Sequence, residues 1–321
     1  MRSRIDPESL AGLDAMLALT GPGGVGAIPN LEARRARLVE MRILAQDNSP
    51  PFSGDIEDRT ILAEQIPIRI YRSRPSDGDR GGTQARVPGL LFIHGGGMIL
   101  GDLDHDDEVA RKLTVALNAV TVSVDYRLAP EYPFPAGLED CYAAFRWMHD
   151  HADQLGFDAD RLIIYGGSAG GALALATTLL ARDRGFTDIR FVMAPYPMLD
   201  HRNTSASSHE VLDIGVWDRA LNIEAWEHYL GGDQGEVSHY ASLALAEDLT
   251  NLPPLFIDTG DIELFRDEII EFVQRLSQAG AAVEFHLYPG AYHASEIIAP
   301  NAQLSELIWA ARFQAFERAL R

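Results

Sequence analysis

Two rhythms of apolar residues divide the chain. Residues 7–46 read as two helices joined by the glycine-rich stretch Gly21-Pro-Gly-Gly-Val-Gly-Ala. From about residue 60 short apolar runs take over. Ile66-Pro-Ile-Arg-Ile-Tyr alternates in the manner of a half-buried strand. Further runs follow at Gly89-Leu-Leu-Phe-Ile, Ala119-Val-Thr-Val-Ser-Val, Leu162-Ile-Ile-Tyr, Phe191-Val-Met-Ala, Leu255-Phe-Ile-Asp and Val283-Glu-Phe-His-Leu-Tyr. Between them the spacing predicts helices over 106–117, 136–154, 170–183, 266–279 and 303–320. Strand alternating with helix predicts an α/β fold, a mostly parallel sheet covered by helices on both faces with right-handed crossovers.

One insertion breaks the rhythm. Residues 200–248 carry His201-Arg-Asn-Thr-Ser-Ala-Ser-Ser and then Trp217, Trp226 and Tyr229 on a helical stretch. The segment is long for a connection between two strands. Together, residues 1–50 and about 200–245 are expected to form a small helical cap over a pocket, within a single domain spanning 1–321. The glycine-rich loop at 21–27 lacks the Gly-Lys-Ser/Thr of a phosphate cradle, and no strand precedes it, so it reads as a flexible hinge.

Composition narrows the functional classes. Lys and Arg number 27 against 47 Asp and Glu, a formal charge of −20. A field of that sign repels phosphate backbones and anionic lipid, so nucleic acid is not an expected partner. No run approaches the roughly 18 apolar residues that span a bilayer, and Leu10 to Leu19 is interrupted by Asp14. Membrane insertion is therefore not expected, and the location read from the sequence is cytoplasmic. The lone Cys141 has no internal partner and lies in a helical pattern, where a small buried residue is the expectation.

The candidate chemistry sits at turns. Gly166-Gly167-Ser168-Ala169-Gly170 follows the strand at 162–165 directly and opens a helix. A serine on so sharp a turn is lifted above the sheet, and flanking glycines relieve the crowding. His94-Gly95-Gly96-Gly97 follows the strand ending at Ile93. Its consecutive glycines allow backbone N–H groups to converge on an anion, and the Ala169 N–H beside the serine would complete such an oxyanion hole. His94 itself is expected to hold its loop. A serine nucleophile requires a base. Seven histidines (His105, His149, His151, His201, His209, His228 and His239) lie in polar or helical stretches, and His286 alternates within a strand. His293 sits just past that strand, where catalytic groups of open parallel sheets gather. The base in turn needs a carboxylate to orient it. By position Asp261, Glu263 and Asp267 all qualify.

These motifs together resemble the bacterial hormone-sensitive-lipase-like esterases of the α/β-hydrolase superfamily. The resemblance covers roughly residues 60–321. It rests on His94-Gly-Gly-Gly-Met-Ile-Leu-Gly101, Asp125-Tyr-Arg-Leu-Ala-Pro-Glu-Tyr-Pro-Phe-Pro135, the Ser168 elbow, Glu263-Leu-Phe-Arg-Asp-Glu268 and Tyr288-Pro-Gly-Ala-Tyr-His293. It implies the α/β-hydrolase fold, with a mostly parallel eight-stranded sheet and a cap that includes the N-terminal helices. It implies Glu263 as the triad acid where Asp is commoner, with Asp261 in reserve and Asp267 structural. Gly96 and Gly97 become the main oxyanion donors of their loop, and Asp125 to Glu131 a structural turn. Gly167 stands where many relatives carry Asp, and Ala294-Ser295 where Gly-Phe is common.

The expected reaction is hydrolysis of a small-molecule ester through a Ser168–His293–Glu263 triad and an acyl-enzyme, without metal or organic cofactor. Met98 and Trp217, with Trp226 nearby, are expected to wall a pocket for a short- to medium-chain acyl group. The triad residues do not separate an esterase from a lactonase or an amidase. A non-catalytic ligand-binding protein of the same fold would usually have lost a triad member. The acidic run Asp102-Leu-Asp-His105-Asp-Asp-Glu reads as the solvated start of a helix rather than a cation site. Relatives often pair through the last strand and helix, so a homodimer is an expectation.

Overall fold

Eight strands form one sheet: β1 (Gly54–Ile61), β2 (Ile66–Ser73), β3 (Val87–Ile93), β4 (Val120–Val124), β5 (Phe157–Gly166), β6 (Phe191–Pro195), β7 (Leu255–Ile262) and β8 (Val283–Tyr292). The computed structural model describes residues 1–46, 52–61, 63, 65–74, 86–232 and 235–321. Residues 47–50 of the expected cap segment, and 233 and 234 of the insertion, lie outside them. The strand order is β1-β2-β4-β3-β5-β6-β7-β8. β2 runs antiparallel to both neighbours, and every pairing from β4 to β8 is parallel. The eight-stranded, mostly parallel expectation holds.

β1 was invisible to apolar periodicity for a physical reason. Its sequence GDIEDRTI pairs only with β2 at the sheet edge, and Ile61 alone is buried. A strand with water on most of its surface needs no apolar face. The central strands show the opposite. On β3, Leu90 and Phe92 enter one core, while Leu91 and Ile93 enter the other. The period of two along a strand sends successive side chains to opposite faces. Helix α3 (Asp107–Leu117) and helix α11 (Gln303–Leu320) cover the first face through Val109, Leu113, Trp309 and Phe316. Helices α4 (Ala136–Asp150), α6 (Ala169–Asp183) and α9 (Arg266–Gln278) cover the second. The helix expected over 136–154 breaks at His151 and resumes as the short α5 (Ala152–Leu155). Cys141 is fully buried in α4.

The chain moves outward from β3 to β4 on one side, then returns to β5 on the other. That reversal opens a crevice beyond the carboxyl ends of β3 and β5, the usual ligand position in open α/β sheets. Helix α1 (Pro7–Thr20) brings Leu17 against Gly215, in the loop between α7 (Ala206–Glu210) and α8 (Arg219–Leu230), and α2 (Leu31–Gln46) reaches α8. Arg34 of α2 pairs with Glu224 of α8 at 2.6 Å. Arg35 donates to the Ile99 and Ala129 carbonyls and pairs with Glu131. Among the described residues no helix is long and apolar enough to cross a membrane.

Candidate active site

Ser168 joins β5 to α6 at φ 58° and ψ −122°, a left-handed conformation uncommon for a residue with a side chain. The turn is locked from both sides. Ser168 N–H donates to the Pro195 carbonyl at 3.0 Å, and Met198 N–H donates to the Ser168 carbonyl at 3.2 Å. A Cβ at Gly166 would stand 2.2 Å from the Gly170 carbonyl oxygen, and one at Gly170 would stand 2.1 Å from that of Ile93. Only glycine permits this crossing of backbones.

His293 follows the end of β8, before α10 (Ser295–Ile298). Its Nδ1–H donates to Glu263 Oε2 at 2.8 Å. Glu263 is fully buried, and its other oxygen accepts the Phe265 N–H at 3.2 Å. With Nδ1 committed as donor, Nε2 is left as the acceptor of the neutral ring. The imidazole meets two aromatic rings edge-on, Tyr196 at 4.9 Å and Phe265 at 5.5 Å between centroids. Ser168 and His293 line one cavity of about 150 Å³, together with Gly95, Gly96, Tyr196 and Trp217.

The other two carboxylates in the same stretch face elsewhere. Asp261 accepts the Gly290 N–H at 2.7 Å and pairs with Arg4 at 3.1 Å. Asp267 accepts the Ser207 N–H at 2.8 Å and holds Arg266.

The His94–Gly97 loop is fixed at several points. Asp106 accepts the Gly95 N–H at 3.1 Å. The Tyr126 hydroxyl donates to the His94 carbonyl at 3.0 Å, and its ring stacks on the His94 imidazole at 4.2 Å. Burial pushes the His94 imidazole down to a pKa of about 4, helped by the nearby His105, so the ring stays neutral in its site. Among the described residues the amides of Gly96 and Gly97 have no hydrogen-bond partner. The Ala169 amide opens α6, where no intrahelical acceptor exists. Gly97 has φ 62°, and a Cβ there would stand 2.2 Å from the Trp217 ring. The Trp217 Nε1–H donates to Asn222 at 2.9 Å.

Met98, expected as a pocket wall, is not among the residues that line the cavity. It has φ 60°, is 2 % exposed and packs in the main core. The left-handed turn at 97–98 takes it there. The acidic run 102–108 is only partly solvated. Asp102 caps the amides of Asp104 and His105 and pairs with Arg42, while Asp107 accepts the Tyr71 hydroxyl and pairs with Arg111. The loop at 21–27, read as a hinge, contributes Val25 to the cavity lining. Tyr196, Val216 and Ile297 also line it and were missed. Of these Tyr196 carried a usable signal, an aromatic residue just past a strand's carboxyl end.

Comparison with known proteins fits this geometry. Residues 90–296 match the family model described as alpha/beta hydrolase fold. The chain is 38% identical over 286 residues to esterase LipI of Mycobacterium tuberculosis, covering 88% of this chain and 85% of that protein. It is 35% identical over 289 residues to carboxylesterase NlhH of the same species, covering 87% and 86%. The solved structure of a bacterial heroin esterase superposes with a TM-score of 0.86 at 35% identity, covering 99% of both chains.

Proposed function

The chain belongs to the α/β-hydrolase family, among its hormone-sensitive-lipase-like carboxylic ester hydrolases, and we propose that it cleaves esters of short- to medium-chain acids through Ser168, His293 and Glu263. The observation that carries this reading is the buried 2.8 Å contact between Glu263 and His293, whose ring lines the same cavity as Ser168. Ser168 Oγ attacks the ester carbonyl carbon as its proton passes to His293 Nε2. The carbonyl oxygen becomes an oxyanion held by the amides of Gly96, Gly97 and Ala169. The C–O bond to the alcohol breaks, and Nε2 returns the proton to the leaving oxygen. Water, deprotonated by the same nitrogen, then attacks the acyl carbon; the bond to Ser168 Oγ breaks, the acid leaves, and Nε2 returns the proton to Oγ. Glu263 keeps Nδ1 protonated and offsets the imidazolium charge throughout.

The cavity volume bears on the acyl group. An apolar cavity of about 150 Å³ accommodates a molecule the size of benzene, which supports acyl chains of about two to six carbons. Leu38, His105, Asp106, Val109 and Ile297 also line an adjoining groove of about 1030 Å³. Ile297 lies shortly after His293, so we assign the alcohol to that side. The small helical cap, α1 and α2 with α7 and α8, would close the acyl side through Val25, Val216 and Trp217.

Steady-state hydrolysis of p-nitrophenyl esters by the wild type, Ser168→Ala and His293→Ala tests this. The expected profile peaks at short acyl chains and vanishes in both variants. Activity that survives Ser168→Ala, or rises steadily with chain length, would overturn the reading.

A further inference from the structure

Behind His293 lies a buried charged cluster that ester cleavage as derived above does not use. Arg312 of α11 donates to both oxygens of Asp258 on β7, Nε at 2.8 Å and Nη2 at 3.0 Å. Its Nη1 donates to Glu296 Oε1 of α10 at 2.7 Å. The same Glu296 oxygen accepts the Tyr196 hydroxyl at 2.7 Å. All three charged groups are at most 2 % exposed. Two carboxylates and one guanidinium leave the cluster formally one charge negative. Buried ion pairs are seldom more stabilising than well-packed apolar residues of the same volume, so stability alone does not account for it.

Three further observations tie the cluster to the site. Tyr196 lines the catalytic cavity and meets the His293 ring edge-on at 4.9 Å and 61°. Tyr196 also has φ 34°, a conformation a bulky side chain adopts only when its surroundings over-determine it. Its N–H donates to the Asp258 carbonyl at 2.7 Å, so both ends of the residue are tied to the cluster's members. Finally, the ring packs on the nucleophile's turn. A Cβ at Gly167 would stand 3.3 Å from Tyr196 Cε2 and 3.5 Å from its hydroxyl. The ring therefore occupies the space a larger residue at 167 would claim.

We infer that Tyr196, tethered by Glu296 and Arg312, is a positioning residue that holds the His293 imidazole in line with Ser168. The inference rests on His293 being the base. Glu263 fixes one ring nitrogen but leaves rotation about that hydrogen bond open. Tyr196 on one edge and Phe265 on another remove that freedom. Glu296 lies in the helical turn that His293 leads into, so the tether also secures the segment carrying the base.

The test compares Tyr196→Phe, Tyr196→Leu, Glu296→Gln and Glu296→Ala with p-nitrophenyl acetate, alongside thermal unfolding. Loss of an orientation needed only in the transition state lowers kcat and kcat/KM together, with KM about unchanged. Tyr196→Phe keeps the ring but frees it, with an expected fall of about tenfold, and Tyr196→Leu about a hundredfold. Glu296→Gln retains an acceptor for both donors and should stay within about threefold of wild type, whereas Glu296→Ala should match Tyr196→Phe. The downfield proton resonance of His293 Nδ1–H should broaden in Tyr196→Phe and persist in Glu296→Gln. If either Tyr196→Leu or Glu296→Ala fails to fold, the Phe and Gln variants decide. Unchanged kcat in Tyr196→Phe with a sharp Nδ1–H signal would reduce the cluster to core packing. His293→Ala, run beside them, separates the two readings, because retained activity there removes the base itself.

Discussion

Replacing Glu263 by Gln probes the arrangement most sharply, because the two oxygens of Glu263 have different partners. Oε2 accepts from His293 Nδ1–H at 2.8 Å, and Oε1 accepts from Phe265 N–H at 3.2 Å. A carboxylate satisfies two donors, but an amide presents one acceptor and one donor. If the Gln oxygen stays with Phe265, its NH₂ faces Nδ1 and forces the tautomer whose Nε2 carries the proton and cannot act as base. In serine proteases that tautomer error costs about 10⁴ in kcat. If the amide flips, its NH₂ meets the Phe265 N–H in a fully buried site, at about 1–3 kcal/mol. A neutral oxygen opposite the imidazolium gives up roughly another 1.5 kcal/mol relative to a charge-assisted bond. The flip is the cheaper route, and its total of about 2.5–4.5 kcal/mol corresponds to a fall in kcat of about 10²–10³-fold. Glu263→Asp keeps the charge but withdraws it by about one C–C bond, roughly 1.5 Å, and should lie between the two. The assay is kcat for p-nitrophenyl acetate with circular dichroism as a folding control. A folded Glu263→Gln enzyme within about tenfold of wild type would refute the argument and return the acid's role to Asp261 or to another group.

Other perturbations follow from the same geometry. Gly97→Ala places a Cβ 2.2 Å from the Trp217 ring at φ 62°, so the oxyanion loop must move, and kcat should fall about a hundredfold together with a loss of stability of about 1–3 kcal/mol, read by thermal unfolding. Near-wild-type kcat would remove Gly97 from the oxyanion hole. Trp217→Ala opens the cavity on its cap side, and the ratio of kcat/KM for octanoate over butyrate should rise about tenfold; an unchanged ratio would place the acyl chain elsewhere. Asp125 is half-buried, and burial, followed by the charges of Asp102 and Asp104, raises its carboxyl to about 6. A raised carboxyl binds its proton more tightly in the folded than in the unfolded chain, so stability falls as pH rises from about 4 through about 6. A shift of about two units corresponds to roughly 3 kcal/mol, which solvent screening at this half-exposed group reduces to about 1–2 kcal/mol. Asp125→Asn should therefore stabilise the protein by that amount at about pH 8 and by almost nothing at about pH 4, measured by urea unfolding at both.

What the sequence revealed and what it hid divide along one physical line. Ser168 and the His94–Gly97 loop were legible because both depend on backbone conformations that only particular local residues allow. Glycines at 166 and 170 are required by contacts of 2.2 and 2.1 Å, and such requirements leave a mark within five or six residues. His293 was legible because a strand ends just before it. The acid was not, since Asp261, Glu263 and Asp267 lie within seven residues and differ only in direction. The structure separates them through an irregularity in the β7–β8 pairing between Gly260 and Ile262. There Asp261 turns toward Gly290 and Arg4, while Glu263, two residues on, faces His293. A bulge adds a residue without altering the apolar pattern, so no reading of periodicity reveals it. Met98 failed for a related reason, because the sequence does not show that the turn after Gly97 sends it into the core.

The Tyr196 cluster shows where a better reading of this sequence would have looked. Its members are 54 residues apart at Asp258 and Arg312, and 100 apart at Tyr196 and Glu296. No local motif spans such separations. Topology does, because β6, β7 and β8 are consecutive parallel neighbours whose carboxyl ends deliver their following residues to one edge of the crevice. Taking the residues just past each parallel strand as the structure ends it, without asking for a motif, yields His94–Gly97, Asp125, Gly167–Ser168, Tyr196, Glu263 and His293. That set includes the proposed nucleophile, base and acid, and the aromatic ring inferred to orient the base. Motif and topology therefore carry different information. The motif marks where the backbone must be unusual, and the topology marks which side chains must meet there.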